Sequence, residues 1–158
     1  MDFPADDESD MICDGKKQKD SVLVADGENH LGKQLAAMID RMGYDVVVAS
    51  NGEKALDLVL KRSFDLVFTA LKMPGMDGLT LSLQVKATSR NTPVVLILAE
   101  RLENISNRIK AGRIDCVLSK PLRFEEIQKA VQYFVTKRSR LHCCRNFLLF
   151  MVPCYCIA

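Results

Sequence analysis

This sequence of 158 residues has no tryptophan, little net charge and no long apolar run. Tryptophan is absent, and the formal net charge is only +2, which is too small to indicate nucleic acid or a membrane surface as a partner. No apolar run approaches the roughly 20 residues that a membrane-spanning helix needs. The remaining composition is typical of a soluble globular domain.

The first twenty residues, MDFPADDESDMICDGKKQKD, are acidic and have no continuous apolar core, so we do not expect them to act as a signal peptide. We expect residues 1–20 to form a disordered leader, because they are polar and lack periodicity. The expected location is cytoplasmic, where the six cysteines would be reduced.

From Ser21 onwards, apolar runs alternate with amphipathic stretches. The runs SVLVA, DVVVA, DLVFTA, PVVLILA and CVLS predict five buried strands. An apolar stripe with helical spacing follows most of them and is best developed after Phe124. The segment LTLSLQVK alternates apolar and polar residues, which alone argues for a strand, but its place between two strands favours a helix.

Strands of continuous hydrophobicity that alternate with helices indicate a parallel sheet covered on both faces, an α/β doubly wound fold. In such sheets the ligand site lies outside the carboxyl ends of the strands. The residues at those ends are Asp26, Ala70, Leu98 and Lys120. We therefore expect any site to lie among them.

Five motifs follow one another along the chain: VLVADGE, GYDVVVASNGEKAL, DLVFTALKMPGMDGL, TPVVLILA and LSKPL. Together they resemble the receiver domain of bacterial response regulators over residues 21–137. The resemblance implies a flavodoxin-like (βα)5 fold and a role in two-component phosphorelay signalling.

The resemblance also implies which positions would carry out phosphoryl transfer and switching. Most of these positions hold residues without the family's functional groups. The family's acidic pair corresponds to Asp26 and Gly27, and its phosphoacceptor aspartate corresponds to Ala70. The family's hydroxyl residue corresponds to Leu98, and its aromatic switch residue corresponds to Val117. The chain therefore resembles a degenerate pseudo-receiver.

Other family features remain. Lys120 is followed by Pro121, and the resemblance implies a cis peptide bond between them. The loop MPGMDG after the third strand is also retained; its family-matching residues are Met73, Pro74, Asp77 and Gly78. With Ala70 in the acceptor position, we interpret this loop as a tight turn and no longer as part of a phosphate site.

Charge and reactivity at these positions predict no catalysis. Alanine offers no nucleophile for an acyl phosphate, so no catalytic residue is expected. With one carboxylate, Asp26, opposite one ammonium, Lys120, we predict a direct ion pair and weak or absent Mg²⁺ binding. Glu28 or Glu100 could instead add a carboxylate to the pocket, since either side chain could turn toward it.

We therefore expect a signalling module that acts by phosphorylation-independent protein contact, with a sensor kinase or another regulator as its partner. A homodimer through the last two helices is possible, on a face bearing Arg108, Lys110, Glu126 and Lys129, although a solvated charged surface is the alternative. A competing hypothesis is a phosphoacceptor that uses Asp26.

The tail, residues 138–158, reads RSRLHCCRNFLLFMVPCYCIA and poses a separate question. Its histidine and four cysteines include enough soft ligands for zinc, but their spacing differs from that of zinc knuckles. Basic residues before FLLFMV suggest membrane association, but the run is too short to span. We favour a hydrophobic extension that packs on the domain, over an adaptor that binds metal or membrane.

Overall fold

The computed structural model describes residues 19–99 and 105–140. The strands, in chain order, are β1 (Ser21–Ala25), β2 (Asp45–Ala49), β3 (Leu66–Ala70), β4 (Val94–Leu98) and β5 (Cys116–Ser119). The helices are α1 (Asn29–Arg41), α2 (Gly52–Lys61), α3 (Gly78–Thr88), α4 (Ser106–Ala111) and α5 (Phe124–Arg140). Each strand is followed by one helix, which confirms the predicted alternation.

The five strands form one parallel sheet in the order β2-β1-β3-β4-β5. In the register, Val22 lies opposite Leu66 and Val67 lies opposite Val94. Chain order reverses next to β1, so the crossovers place helices on both faces, as right-handed βαβ connections require. The predicted doubly wound, flavodoxin-like fold is confirmed.

Two apolar cores lie on the two faces of the sheet. One core packs α1 and α5 against the sheet through Leu35, Ile39 and Ile127. The other packs α2, α3 and α4 against it through residues that include Leu81 and Ile109. Because β1, β3 and β4 are buried on both faces, their sequences are continuously apolar.

The ambiguous segment LTLSLQVK is helical, as its position in the alternation predicted. Leu79, Leu81 and Val85 are buried, whereas Leu83 remains 43% exposed. The helix begins after Asp77, whose side chain accepts a hydrogen bond from the Thr80 N–H at 2.8 Å. Apolar residues on more than one side of the helix explain why its sequence also suits a strand.

Several sequence predictions concern residues outside the described ranges. These are the disordered leader, the metal and membrane hypotheses for the tail, and any contribution from Glu100. Within residues 19–99 and 105–140, no helix is long and apolar enough to cross a membrane.

Candidate functional site

Backbone hydrogen bonds bring the predicted site residues to one edge of the sheet. The Asp26 N–H donates to the Ala49 carbonyl at 3.0 Å, and the Lys120 N–H donates to the Leu98 carbonyl at 2.8 Å. Ala70 ends β3 between them, paired with Ile97 of β4. The parallel register therefore places Asp26, Ala70 and Lys120 at the carboxyl edge, as predicted.

Asp26 is the buried carboxylate of this edge, with only 2% of its surface exposed. Its Oδ1 accepts a hydrogen bond from the Glu28 N–H at 2.9 Å, whereas its buried Oδ2 has no hydrogen-bond partner among the described residues. Burial raises the pKa of Asp26 above its usual range, and this outweighs the opposing effects of the Glu28 N–H and the Lys120 charge. The negative charge of Glu28 raises it further.

Lys120 forms its ion pair with Glu28, which corrects the predicted direct pair with Asp26. The distance from Lys120 Nζ to Glu28 Oε2 is 3.7 Å, and the two side chains are 27% and 73% exposed. This pair keeps both charges partly hydrated, so it avoids much of the desolvation cost of bringing the ammonium against a buried carboxylate. The cis peptide bond between Lys120 and Pro121, implied by the resemblance, is present.

Ala70, which the resemblance matches to the acceptor position, is 6% exposed and contributes only a methyl group. The neighbouring Thr69 hydroxyl is fully buried and donates to the Ala70 carbonyl oxygen at 3.0 Å. Thr69 lies near Gly78 and on the face opposite to Ala70, as side-chain alternation along a strand requires. The Thr69 hydroxyl therefore does not point to the same side of the sheet as the Ala70 methyl group.

Leu98 and Val117 belong to the apolar core under α2, α3 and α4. Leu98 is fully buried and Val117 is 4% exposed. Neither side chain offers a hydrogen bond or an aromatic ring, so these positions pack as ordinary core residues. The relay that the family resemblance implies has no polar or rotating member at these two positions.

The MPGMDG loop packs closely against three parts of the edge. A Cβ added to Gly27 would lie 3.0 Å from Pro74 Cδ, and one added to Gly52 would lie 2.6 Å from the Met76 carbonyl oxygen. A Cβ added to Gly78 would overlap the Ala70 carbonyl oxygen. The loop is therefore a tightly packed turn.

Asp77 has a second partner that sequence reasoning missed. Its Oδ2 lies 3.2 Å from Arg108 Nη2, so Asp77 both caps α3 and contacts α4. Arg108, a residue of the predicted dimerisation face, is thus engaged beside the MPGMDG loop. Nothing in the spacing of these two residues predicts the pair, because they lie on different elements.

A partly buried ion pair between α3 and the residue before β5 was also missed. Lys86 Nζ lies 2.6 Å from Asp115 Oδ2 and donates to the Thr92 carbonyl at 2.8 Å. Asp115 also accepts from the Val94 N–H at 2.8 Å. The side chains are 10% and 34% exposed, so this cluster serves the fold far from the carboxyl edge. The sequence feature that could have indicated this pair is the lysine inside the apolar pattern of α3.

The donor set at the edge does not fit a divalent cation. Mg²⁺ takes oxygen ligands, and receiver sites use acidic ones. Among the described residues, Asp26 Oδ2 is the one buried carboxylate oxygen without a partner, Glu28 is held toward Lys120, and Gly27 and Ala70 carry no side-chain donor. Within the part of the chain that the structure describes, no three His, Cys, Asp or Glu side chains are grouped to hold a metal.

Known proteins resemble this chain in sequence over most of the described domain. The family described as response regulator receiver domain matches residues 22–132. The transcriptional regulatory protein ZraR of Escherichia coli O157:H7 is 32% identical over 112 residues, which are 70% of this chain and 25% of ZraR. Sporulation initiation phosphotransferase F of Bacillus subtilis is 30% identical over 121 residues, which are 76% of this chain and 97% of the relative.

Solved structures show the same fold. The Francisella response regulator 1452 receiver domain is 28% identical, with a TM-score of 0.69 over 75% of this chain and 98% of that one. A CheY-like receiver domain from Methanospirillum hungatei is 14% identical and has a TM-score of 0.74, over 78% of this chain and 99% of that one. The sheet order is that of a receiver fold, and the family model matches most of the chain. The chain therefore belongs to the response regulator receiver domain family.

Proposed function

We propose that this receiver module of a two-component system signals through protein contacts that do not depend on its own phosphorylation. The observation that carries the proposal is Ala70 at the end of β3, where the resemblance requires the phosphoacceptor carboxylate. A methyl group cannot attack phosphorus, so no acyl phosphate can form at this position.

The surroundings of Ala70 support the same proposal. Leu98 and Val117 are core residues and cannot transmit a phosphoryl signal through a hydroxyl or a ring. Gly27 removes one of the two acids that would hold Mg²⁺, so we propose that magnesium binds weakly or not at all. Acceptor, metal site and relay are all altered, which matches a module that carries out no enzymatic step.

Asp26 is the rival acceptor, and its environment disfavours it. Its side chain is 2% exposed, and Oδ1 is held by the Glu28 N–H. Burial raises its pKa, which lowers the fraction that is ionised at a given pH, and the ionised carboxylate is the nucleophile. A phosphoryl donor would also need to reach an oxygen that solvent does not reach.

We propose that the partner is a sensor kinase or another regulator. The surface of α4, β5 and α5 remains the candidate homodimer face, with Phe124 41% exposed at the start of α5 and Lys129 exposed one turn later. Arg108 contributes less to such a face than its sequence position suggested, because it pairs with Asp77.

A phosphorylation assay tests the proposal. The chain, its Asp26→Ala variant and the phosphotransferase F relative are incubated with a small acyl-phosphate donor and Mg²⁺, then analysed by intact mass. We expect a phosphoryl adduct on the relative and none on this chain. An adduct on the wild type that disappears in Asp26→Ala would replace our proposal with the rival; an adduct that persists in that variant would refute both.

A further inference from the structure

A groove lies between α1 and the β5–α5 segment, on the face of the sheet opposite α2, α3 and α4. Leu31, Leu35 and Met38 of α1 form one wall, and Leu122 and Ile127 form the other. Its volume is about 230 Å³. Leu31, Met38 and Leu122 are only partly buried, so this α1–α5 groove leaves apolar surface open to solvent.

The α1–α5 groove is suited to apolar side chains. Small-molecule sites usually measure about 300–1,000 Å³ and contain several convergent polar groups. This groove is smaller, and its polar side chains are those of Gln34 and Lys120. Apolar side chains of a peptide segment would gain about 25 cal/mol for each Å² removed from water here.

We propose that residues 147–152 of the same chain, FLLFMV, dock in the α1–α5 groove. This run is the most apolar part of the sequence beyond α5 and includes two phenylalanines. Six residues of this kind, left in water, are prone to intermolecular β-pairing. Docking removes them from water and covers the groove at the same time.

The chain is long enough for this arrangement. The α5 segment from Ile127, at the groove, to Arg140 is about 20 Å long at 1.5 Å per residue. The link from Arg140 to residue 147 spans at most about 25 Å when fully extended. Residues 141–146 can therefore return along α5 and bring FLLFMV to the groove.

Tethering favours this segment over a second copy of the chain. A short link gives a segment an effective local concentration on the order of millimolar, which exceeds the concentration of another molecule in ordinary solution. Even modest affinity for the groove is then enough for occupancy. The groove wall includes Lys120 and Pro121, so the docked segment would also cover one side of the degenerate edge. This proposal does not depend on whether the chain accepts phosphate.

Photo-crosslinking of the full-length chain tests the docking. Phe150 is replaced by p-benzoylphenylalanine, and the protein is irradiated under reducing conditions so that the cysteines stay as thiols. We expect an intrachain crosslink that peptide mapping places on residues 31–38 or 121–127. The crosslink should be lost in Leu31→Asp and kept in Leu83→Asp, a matched change on the opposite layer, where Leu83 is 43% exposed.

Hydrogen exchange gives a second measurement without a photoreactive group. Peptides covering residues 31–38 should exchange faster in Leu148→Asp than in the wild type or in Asn146→Asp, which adds the same charge outside FLLFMV. Crosslinks on another surface, crosslinks only between chains, or no crosslink would each overturn the proposal. So would crosslinks to lipid alone when the sample also contains phosphatidylglycerol vesicles. Unchanged exchange at α1 would overturn it as well.

Discussion

The Nζ atom of Lys120 lies 3.7 Å from Oε2 of Glu28, a residue that the family pattern does not assign to the site. The same glutamate holds Asp26 through its backbone N–H. Glu28 thus separates the two groups that the charge count paired, taking the ammonium toward solvent and leaving Asp26 Oδ2 buried without a partner among the described residues. The edge therefore holds two carboxylates and one ammonium, and the ammonium is paired with Glu28 and not with Asp26.

Stability should depend on the ionisation of Asp26. Its pKa in the folded state is raised, so the folded chain holds this proton more tightly than the unfolded chain, whose value is about 3.9. The resulting stabilisation is complete below the unfolded pKa and is lost as pH rises through the folded pKa. We therefore expect Asp26→Asn to gain stability relative to the wild type as pH rises from about 4 to about 7, because the variant has no proton to lose at this position.

Urea unfolding at both pH values measures this gain. Asp57→Asn is the control, because the Asp57 side chain is 60% exposed and pairs with the exposed Lys61. Taking the difference from the wild type at each pH cancels the other titrating groups. A stability difference between the wild type and the Asp26→Asn variant that stays constant with pH would contradict the raised pKa.

Magnesium binding should return when the two lost acids are restored. In the wild type we expect a Kd weaker than about 1 mM by calorimetric titration. Gly27→Asp with Ala70→Asp adds two close anions, which repel each other by about 4 kcal/mol at an effective dielectric near 20 and favour a neutralising cation. We expect at least about tenfold tighter Mg²⁺ binding in this double variant.

Gly27→Asn with Ala70→Asn is the matched control for that experiment, because it adds similar volume without charge. Both variants must accommodate a side chain at position 27 close to Pro74. Sub-millimolar affinity in the wild type, or equal affinity in the two variants, would show that charge does not govern the site.

The ion pair between Lys86 and Asp115 should contribute strongly to stability. Asp115→Ala leaves the Lys86 ammonium, whose side chain is 10% exposed, without its carboxylate and also removes the acceptor of the Val94 N–H. We expect the free energy of unfolding to fall by about 2–3 kcal/mol. Asp57→Ala, which breaks the exposed pair with Lys61, should cost less than about 1 kcal/mol. Equal losses in the two variants would refute the role of burial.

Gly78 should tolerate no side chain. Gly78→Ala places a Cβ onto the Ala70 carbonyl oxygen, which is backbone and cannot rotate away. We expect a loss of at least about 2 kcal/mol by thermal or urea unfolding. Thr80→Ala, an exposed position in the same helical turn, should change stability by less than about 0.5 kcal/mol. A stable Gly78→Ala variant would mean that the loop packs differently.

Much of the fold follows from local patterns. Continuous apolar strands and the βα alternation predicted the parallel sheet, and side-chain alternation along β3 places Thr69 and Ala70 on opposite faces of it. The helix at 78–88 was harder, because apolar residues on several sides give it a strand-like pattern. Its assignment came from its neighbours, and the cap at Asp77 explains where it begins.

The chemistry of the edge residues could be read from the sequence alone: Ala70, Gly27 and Leu98 carry neither a carboxylate nor a hydroxyl wherever they lie, because a side chain's functional group does not depend on the fold. The pairing of Lys120 with Glu28, of Arg108 with Asp77 and of Lys86 with Asp115 emerged from folding. Each joins separate elements, and the choice among several available charges depends on distance and hydration in three dimensions.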